Sequence, residues 1–261
     1  MGPIRGVLFD LDGTLYEDGV ALPGAAAAVA VLRSRGLAVG FVTNTTSRSR
    51  RLLTERLASC GVPARPDEIL TALRSGAAHL AAEGFRRISV LVPRAALEDL
   101  PDFVVTEDHP QAVVVGDLDD GWTFEILNRA FRHLMDGAEL VALSRDRYWQ
   151  KPDGLVLDCG PFVAALEYAS GRTAAVCGKP SAEFYRAALA SLGPWALERP
   201  HEVLMVGDDV WGDIQGAQHA GLVAWLVRTG KFREDVLAQS GVRPDAVVAS
   251  VAEIPVLLAT P

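Results

Sequence analysis

Short apolar runs rich in β-branched residues recur along this chain, and most are separated by stretches with helical periodicity. The runs fall at residues 6–9, 37–42, 88–92, 112–115, 155–157, 174–176, 203–206 and 222–227. Helical patterning covers 25–35, 48–59, 74–82, 124–135, 161–169, 182–192 and 214–219. Strand alternating with helix predicts an α/β fold, with parallel sheets covered by helices. Runs that are apolar throughout, such as 203–206, fit strands buried on both faces. Pro194 and Pro200 predict a loop between the helix at 182–192 and the strand that follows it. A chain of 261 residues can hold one large α/β domain, or a core and a smaller second domain.

Composition removes several classes of function. The formal net charge is -8, which disfavours nucleic acid as a partner. The dense basic run Arg48, Arg50, Arg51 reads as a solvated helix face. Cys60, Cys159 and Cys177 are far apart and form no CxxC pair, so a reducing cytoplasm is expected rather than a disulfide framework. The opening MGPIRGVLFD is too short in apolar residues for a signal peptide. No stretch approaches the roughly 18 apolar residues that span a bilayer, so no membrane partner is expected.

Four groups of residues at strand ends carry chemistry. The first is Asp10-Leu11-Asp12-Gly13-Thr14-Leu15, directly after the run at 6–9. Ligands of open α/β sheets collect at the carboxyl ends of the strands, where both aspartates would sit. The same residues also suit a plain polar turn. Thr43-Asn44-Thr45-Thr46 follows the second run. A hydroxyl and an amide there can donate to phosphate oxygens, while Thr45, Thr46 or Ser47 would equally cap a helix. Gly178-Lys179-Pro180 places a lysine at a strand end, where it could neutralise phosphate or carboxylates, although a single lysine is also an ordinary surface residue.

The fourth group is Gly207-Asp208-Asp209-Val210-Trp211-Gly212-Asp213. Acids so close together at a buried strand end repel one another unless a cation is present. With oxygen donors only, and no matching His or Cys pair, Mg²⁺ is the expected ion. Acids at a helix N-terminus give an alternative account of the same residues. His79, His109, His133, His201 and His219 form no metal pattern. Asp117, Asp119 and Asp120 lack the remaining ligands of a calcium loop and read as a solvated loop. Tyr148, Trp149 and Lys151 precede a strand of the middle region. They suit a substrate-facing role and a packed core equally.

In order and spacing, DxDGT, a Thr after the second strand, a Lys, and GDDxxxD together resemble the haloacid dehalogenase-like hydrolase superfamily. Residues 161–169, Gly178-Lys179-Pro180 and the segment 227–233 are similar to its subfamily IIA. Within that branch the likeness is to the phospholysine phosphohistidine inorganic pyrophosphate phosphatase group and its domain-containing relatives. The resemblance implies a Rossmann-like parallel-sheet core, residues 1–75 and 178–261, with an α/β cap inserted at 76–177. Caps of this type often carry dimer contacts, so a homodimer is an implied partner.

The function implied is Mg²⁺-dependent phosphatase action on a small phosphorylated substrate through an aspartyl-phosphate. Asp10 corresponds to the nucleophile and Asp12 to the general acid/base. Asp10, the Asp12 main-chain carbonyl and Asp208 would hold Mg²⁺. Thr43, Asn44 and Lys179 would grip the phosphoryl group, with Lys179 also orienting Asp10. Asp209 and Asp213 would stand behind these residues, fixing metal-bound water and Lys179. Two other readings are a phosphotransferase or mutase on the same site, and a non-catalytic binding protein. The second sits poorly with the presence of Asp10, Asp12 and Asp208.

Overall fold

In the computed structural model, which describes residues 2–151 and 154–259, the chain forms two compact units. The first comprises Met1–Thr43, Arg51–Leu70 and Lys179–Pro261, and the second Asn44–Arg50 and Thr71–Gly178. Nothing in the composition around residue 44 signals that a short piece there joins the second unit.

A six-stranded sheet organises the first unit. Its order is Ala246–Val248, Val223–Val227, Val203–Gly207, Gly6–Asp10, Ala38–Thr43 and Ile69–Thr71. From Ala246–Val248 across to Ala38–Thr43 every neighbouring pair is parallel. Side chains alternate between faces, so an apolar strand supplies two cores at once. Val7, Phe9, Phe41, Leu204, Val206 and Val227 pack on one side. Leu8, Val42, Met205, Ala224 and Leu226 pack on the other with Phe184 and Tyr185 of the helix Ala182–Leu192. That helix starts at Ser181, whose hydroxyl accepts the Phe184 N–H as an N-cap.

A five-stranded parallel sheet forms the second unit, in the order Ala175–Val176, Glu139–Ala142, Ala112–Val115, Arg87–Leu91 and Val104–Val105. The helices Ala72–Ala82, Phe124–Met135 and Cys159–Ser170 belong to this unit. Leu73 and Leu80 pack with Ile88 and Val114 on one face, and Leu134 and Val163 with Val113 and Val115 on the other. Both units therefore have the expected α/β construction. An antiparallel hairpin pairs Tyr148–Lys151 with Gly154–Leu157.

Several details of the first unit differ from the sequence expectation. The stretch between Pro194 and Pro200 is not a bare loop. It holds the short helix Pro194–Glu198, with Pro194 in the first turn, where its missing N–H costs nothing. Glu234–Ser240 is helical although its apolar positions are few, and acids in its first turn suit the helix dipole. The region expected as helix from residue 214 begins as a turn of π-helical pitch, Val210–Gln215, before Gly216–His219.

Candidate active site

Parallel pairing places Asp10, Thr43 and Gly207 at the carboxyl ends of three adjacent strands of the first unit, with Asp208 next in the chain. Gly13 turns the chain sharply after Asp12, at a φ of 79° that residues with a β-carbon adopt only with strain. Asp10, Asp208 and Asp213 are buried, and each offers a carboxylate oxygen within 4.8 Å of the others.

Lys179, also buried, joins this group. Its Nζ donates to Asp10 Oδ1 at 2.5 Å and to Asp213 Oδ1 at 2.6 Å. The second oxygen of Asp213 accepts the Asp209 N–H at 3.0 Å. Asp208 Oδ2 accepts the Lys231 main-chain N–H at 2.6 Å. Both oxygens of Asp213 are thus engaged, whereas Asp10 and Asp208 each keep one that accepts no hydrogen bond among the described residues.

Electrostatics follow from burial. Desolvation raises the pKa of Asp10, against the opposing pull of Lys179 and with some help from Asp12. Asp208 is pushed well above the carboxylate range by burial and by Asp10 and Asp213. Burial lifts Asp213 to about 7, despite Lys179. Burial would lower the Lys179 ammonium, but Asp10 and Asp213 hold it well above the ordinary lysine value.

Asp209 turns away from the carboxylate group. Its Oδ1 accepts the N–H groups of Trp211 and Gly212, and its Oδ2 pairs with Lys231 Nζ at 3.2 Å. Burial alone would raise its pKa, yet Lys231 and the Gly212 N–H hold it below the usual value. Asp12 is exposed, with the buried Tyr16 hydroxyl 3.4 Å from its Oδ2. Thr43 is buried at the strand end. Asn44 belongs to the second unit, and its Nδ2 lies 3.4 Å from Asp146 Oδ2 and 3.5 Å from Ser144 Oγ.

Residues missing from the sequence reading of the site are Tyr16, Tyr185, Thr229 and Lys231. Tyr185 donates to the carbonyls of Gly212 and Asp213, bracing the π-helical turn. Thr229 and Lys231 follow the strand Val223–Val227, and that position at a strand end was the available signal. Of the second unit's aromatics, Tyr148 is 54% exposed and Trp149 is half-buried. The Lys151 side chain lies outside the described residues.

Known proteins sharing this arrangement are numerous. A family model described as haloacid dehalogenase-like hydrolase matches residues 7–103, and a HAD-hydrolase-like model matches 176–254. Haloacid dehalogenase-like hydrolase domain-containing protein 2 of Bos taurus is 44% identical over 232 residues, 88% of this chain and 86% of that protein. Phospholysine phosphohistidine inorganic pyrophosphate phosphatase of Rattus norvegicus is 38% identical over 256 residues, 96% of this chain and 92% of its own. Among solved structures, p-nitrophenyl phosphatase from Archaeoglobus fulgidus superposes with a TM-score of 0.90 at 29% identity, covering 98% of this chain and 99% of that one. NagD from E. coli K-12 gives 0.86 at 30% identity, covering 96% of this chain and 98% of that one. With its buried carboxylates grouped at the strand ends of a parallel sheet and relatives this similar over nearly its whole length, the chain belongs to the haloacid dehalogenase-like hydrolases, subfamily IIA.

Proposed function

We propose that this protein is a Mg²⁺-dependent phosphatase that hydrolyses phosphoric ester or anhydride bonds of a small phosphorylated substrate through an aspartyl-phosphate on Asp10. The observation that carries this reading is the Lys179 contact with Asp10, which orients one carboxylate oxygen as the nucleophile and leaves the other for a cation. The p-nitrophenyl phosphatase from Archaeoglobus fulgidus and the rat phosphatase named above support the reaction class.

A divalent cation fits the residues present. Three buried carboxylates and one ammonium leave two negative charges, and the donors are all oxygen. Asp10 and Asp208, each with an oxygen to spare, are the side chains that would hold it, together with the Asp12 main-chain carbonyl. Asp213 anchors Lys179 instead, and Asp209 holds the π-helical turn. Bound there, Mg²⁺ supplies charge that offsets the repulsion between a phosphate dianion and the nucleophile.

The remaining steps belong to side chains. Asp10 attacks phosphorus, while Lys179 and the Thr43 hydroxyl steady the phosphoryl oxygens. Asp12 gives a proton to the leaving oxygen, then takes one from the water that cleaves the aspartyl-phosphate. Tyr16, whose hydroxyl faces Asp12, orients that carboxyl group. Asn44 is a further phosphate donor in this scheme. The second unit serves as the cap domain, and the three free, buried cysteines suit a cytoplasmic setting.

Phosphate release from p-nitrophenyl phosphate, pyrophosphate and phosphoramidate, measured with Mg²⁺ and with excess EDTA, tests the proposal. Turnover is expected only with metal, and Asp10→Asn is expected to lose at least about 100-fold in kcat. Full turnover in EDTA, or an Asp10→Asn enzyme near wild-type activity, would overturn it.

A further inference from the structure

The segment Thr229–Lys231 does more than connect the strand Val223–Val227 to the helix Glu234–Ser240. It touches the site at three points. The Thr229 hydroxyl donates to the Gly13 carbonyl at 2.5 Å, tying the segment to the turn that follows Asp12. The Lys231 main-chain N–H donates to Asp208 Oδ2 at 2.6 Å, and its ammonium pairs with Asp209 Oδ2 at 3.2 Å. Gly230 lies between these anchors with a φ of 59°, and a Cβ there, or on Gly13, would run into the Asp208 carboxylate. Two bare backbones thus close on Asp208, and only glycines permit the approach.

A main-chain N–H on one carboxylate oxygen limits what the other can do. Asp208 can offer Oδ1 freely to a cation, whereas chelation with both oxygens is disfavoured while the Lys231 N–H holds Oδ2. Mg²⁺ requires near-octahedral single-oxygen ligation, whereas Ca²⁺ readily takes carboxylates through both oxygens and gains from added ligands. Lys179 restricts Asp10 in the same way, by occupying its Oδ1.

We infer that Thr229–Lys231 is a latch that keeps Asp208 a one-oxygen ligand, so that the segment itself sets the preference of the site for Mg²⁺ over Ca²⁺. The inference rests on the divalent-cation reading given above. Thr229 and Lys231 are positioning residues that act through the Asp208 carboxylate. Their side chains are the anchors, while the N–H that does the holding belongs to the backbone. Cutting both anchors loosens the latch without deleting its donor.

Calorimetric titration of the full chain with MgCl₂ and with CaCl₂, without substrate, provides the test. The variants are Thr229→Val/Lys231→Met, Lys231→Met alone, Lys231→Arg and Asp208→Asn. In wild type, both cations are expected to bind in a manner that Asp208→Asn abolishes. The double variant should lower the Ca²⁺-to-Mg²⁺ ratio of Kd values by about tenfold, chiefly through tighter Ca²⁺ binding, in the range seen when groups behind metal ligands are altered. Lys231→Met should give a smaller shift of the same sign, and it serves as the test if the double variant fails to fold. Lys231→Arg should keep the wild-type ratio. A lower melting temperature with the ratio unchanged within twofold would overturn the latch while leaving the cation reading intact. Wild type that binds neither cation in an Asp208-dependent way would overturn both.

Discussion

Buried acids in the two units are treated differently. In the first unit Asp10 and Asp213 share the ammonium of Lys179, and Asp209 faces that of Lys231. In the second, Asp158 is mostly buried, and its strongest charged neighbours are two more acids. Desolvation lifts its pKa to about 6, the Cys159 N–H opposes that rise, and Asp146 and Asp117 add to it. Its task there is structural. It is the N-cap of Cys159–Ser170 and accepts the Cys159 N–H at 2.6 Å. Lys179 offsets the crowded charge of the first group only in part, since burial still lifts Asp213 to about 7. A cap that works by accepting one N–H can tolerate a proton.

The largest effect expected under this contrast is at Asp12, the acid proposed for proton transfer, which stays exposed. Asp12→Asn keeps the main-chain carbonyl, so cation affinity should hardly change. Steady-state turnover should fall by about 100-fold or more, in line with losing a general acid/base. Because p-nitrophenolate leaves without protonation, its release should show a burst of at most one equivalent, with labelled phosphate trapped on Asp10. An alkyl ester should be impaired from the first step. Equal impairment of both esters, with no burst and no trapped label, would remove Asp12 from this role.

A smaller effect, of opposite sign, is expected at Asp158. Its folded pKa lies above the unfolded value, so the fold favours the protonated form. That contribution is complete below about pH 4 and is lost as pH rises through about 6. Asn caps helices as well as Asp does, without the charge. Asp158→Asn should therefore stabilise the protein by about 1–2 kcal/mol at pH 8 and by little at pH 4. Melting curves at the two pH values decide the matter, and destabilisation at pH 8 would break the contrast between the units.

Smallest is the consequence of Tyr148→Ala. The ring is 54% exposed and stands opposite Leu157 in the hairpin. Its loss should change stability by no more than about 0.5 kcal/mol. If the ring faces substrate, the ratio of kcat/KM between a bulky ester and p-nitrophenyl phosphate should shift. A drop of more than about 2 kcal/mol with uniform loss across substrates would assign it to packing.

Legibility in the sequence tracked local signal. Gly6–Asp10 and Val203–Gly207 could be read because apolar runs end abruptly in acids. Glu139–Ala142 was missed because four residues of Glu-Leu-Val-Ala carry no periodicity that separates strand from helix. Tyr148–Lys151 was seen only as a cluster of side chains, since its pairing depends on a partner strand. At the site, Asp10, Lys179 and Asp208 were named by type and position. Their division of labour came only from the family resemblance, because the residues alone do not say which carboxylate oxygen is already occupied. Lys231 acts on Asp208 through its main chain, a contact that residue identity cannot announce. Asp12 and its Tyr16 partner illustrate the same limit, as the hydroxyl meets the carboxylate only after the Gly13 turn.

The central strand Gly6–Asp10 has one neighbour, Ala38–Thr43, that follows it closely in the chain, and another, Val203–Gly207, almost two hundred residues later. During synthesis Asp10 therefore emerges before the second unit, on a strand whose other edge stays open while that whole unit is made. Such open apolar edges invite wrong pairing, and long-range parallel pairing is slow to form. A nascent chain stopped anywhere in the second unit would carry Asp10 without Lys179 or Asp208. The carboxylate group can thus assemble only after the second unit has been made, and chaperones that shield strand edges would matter most before that moment.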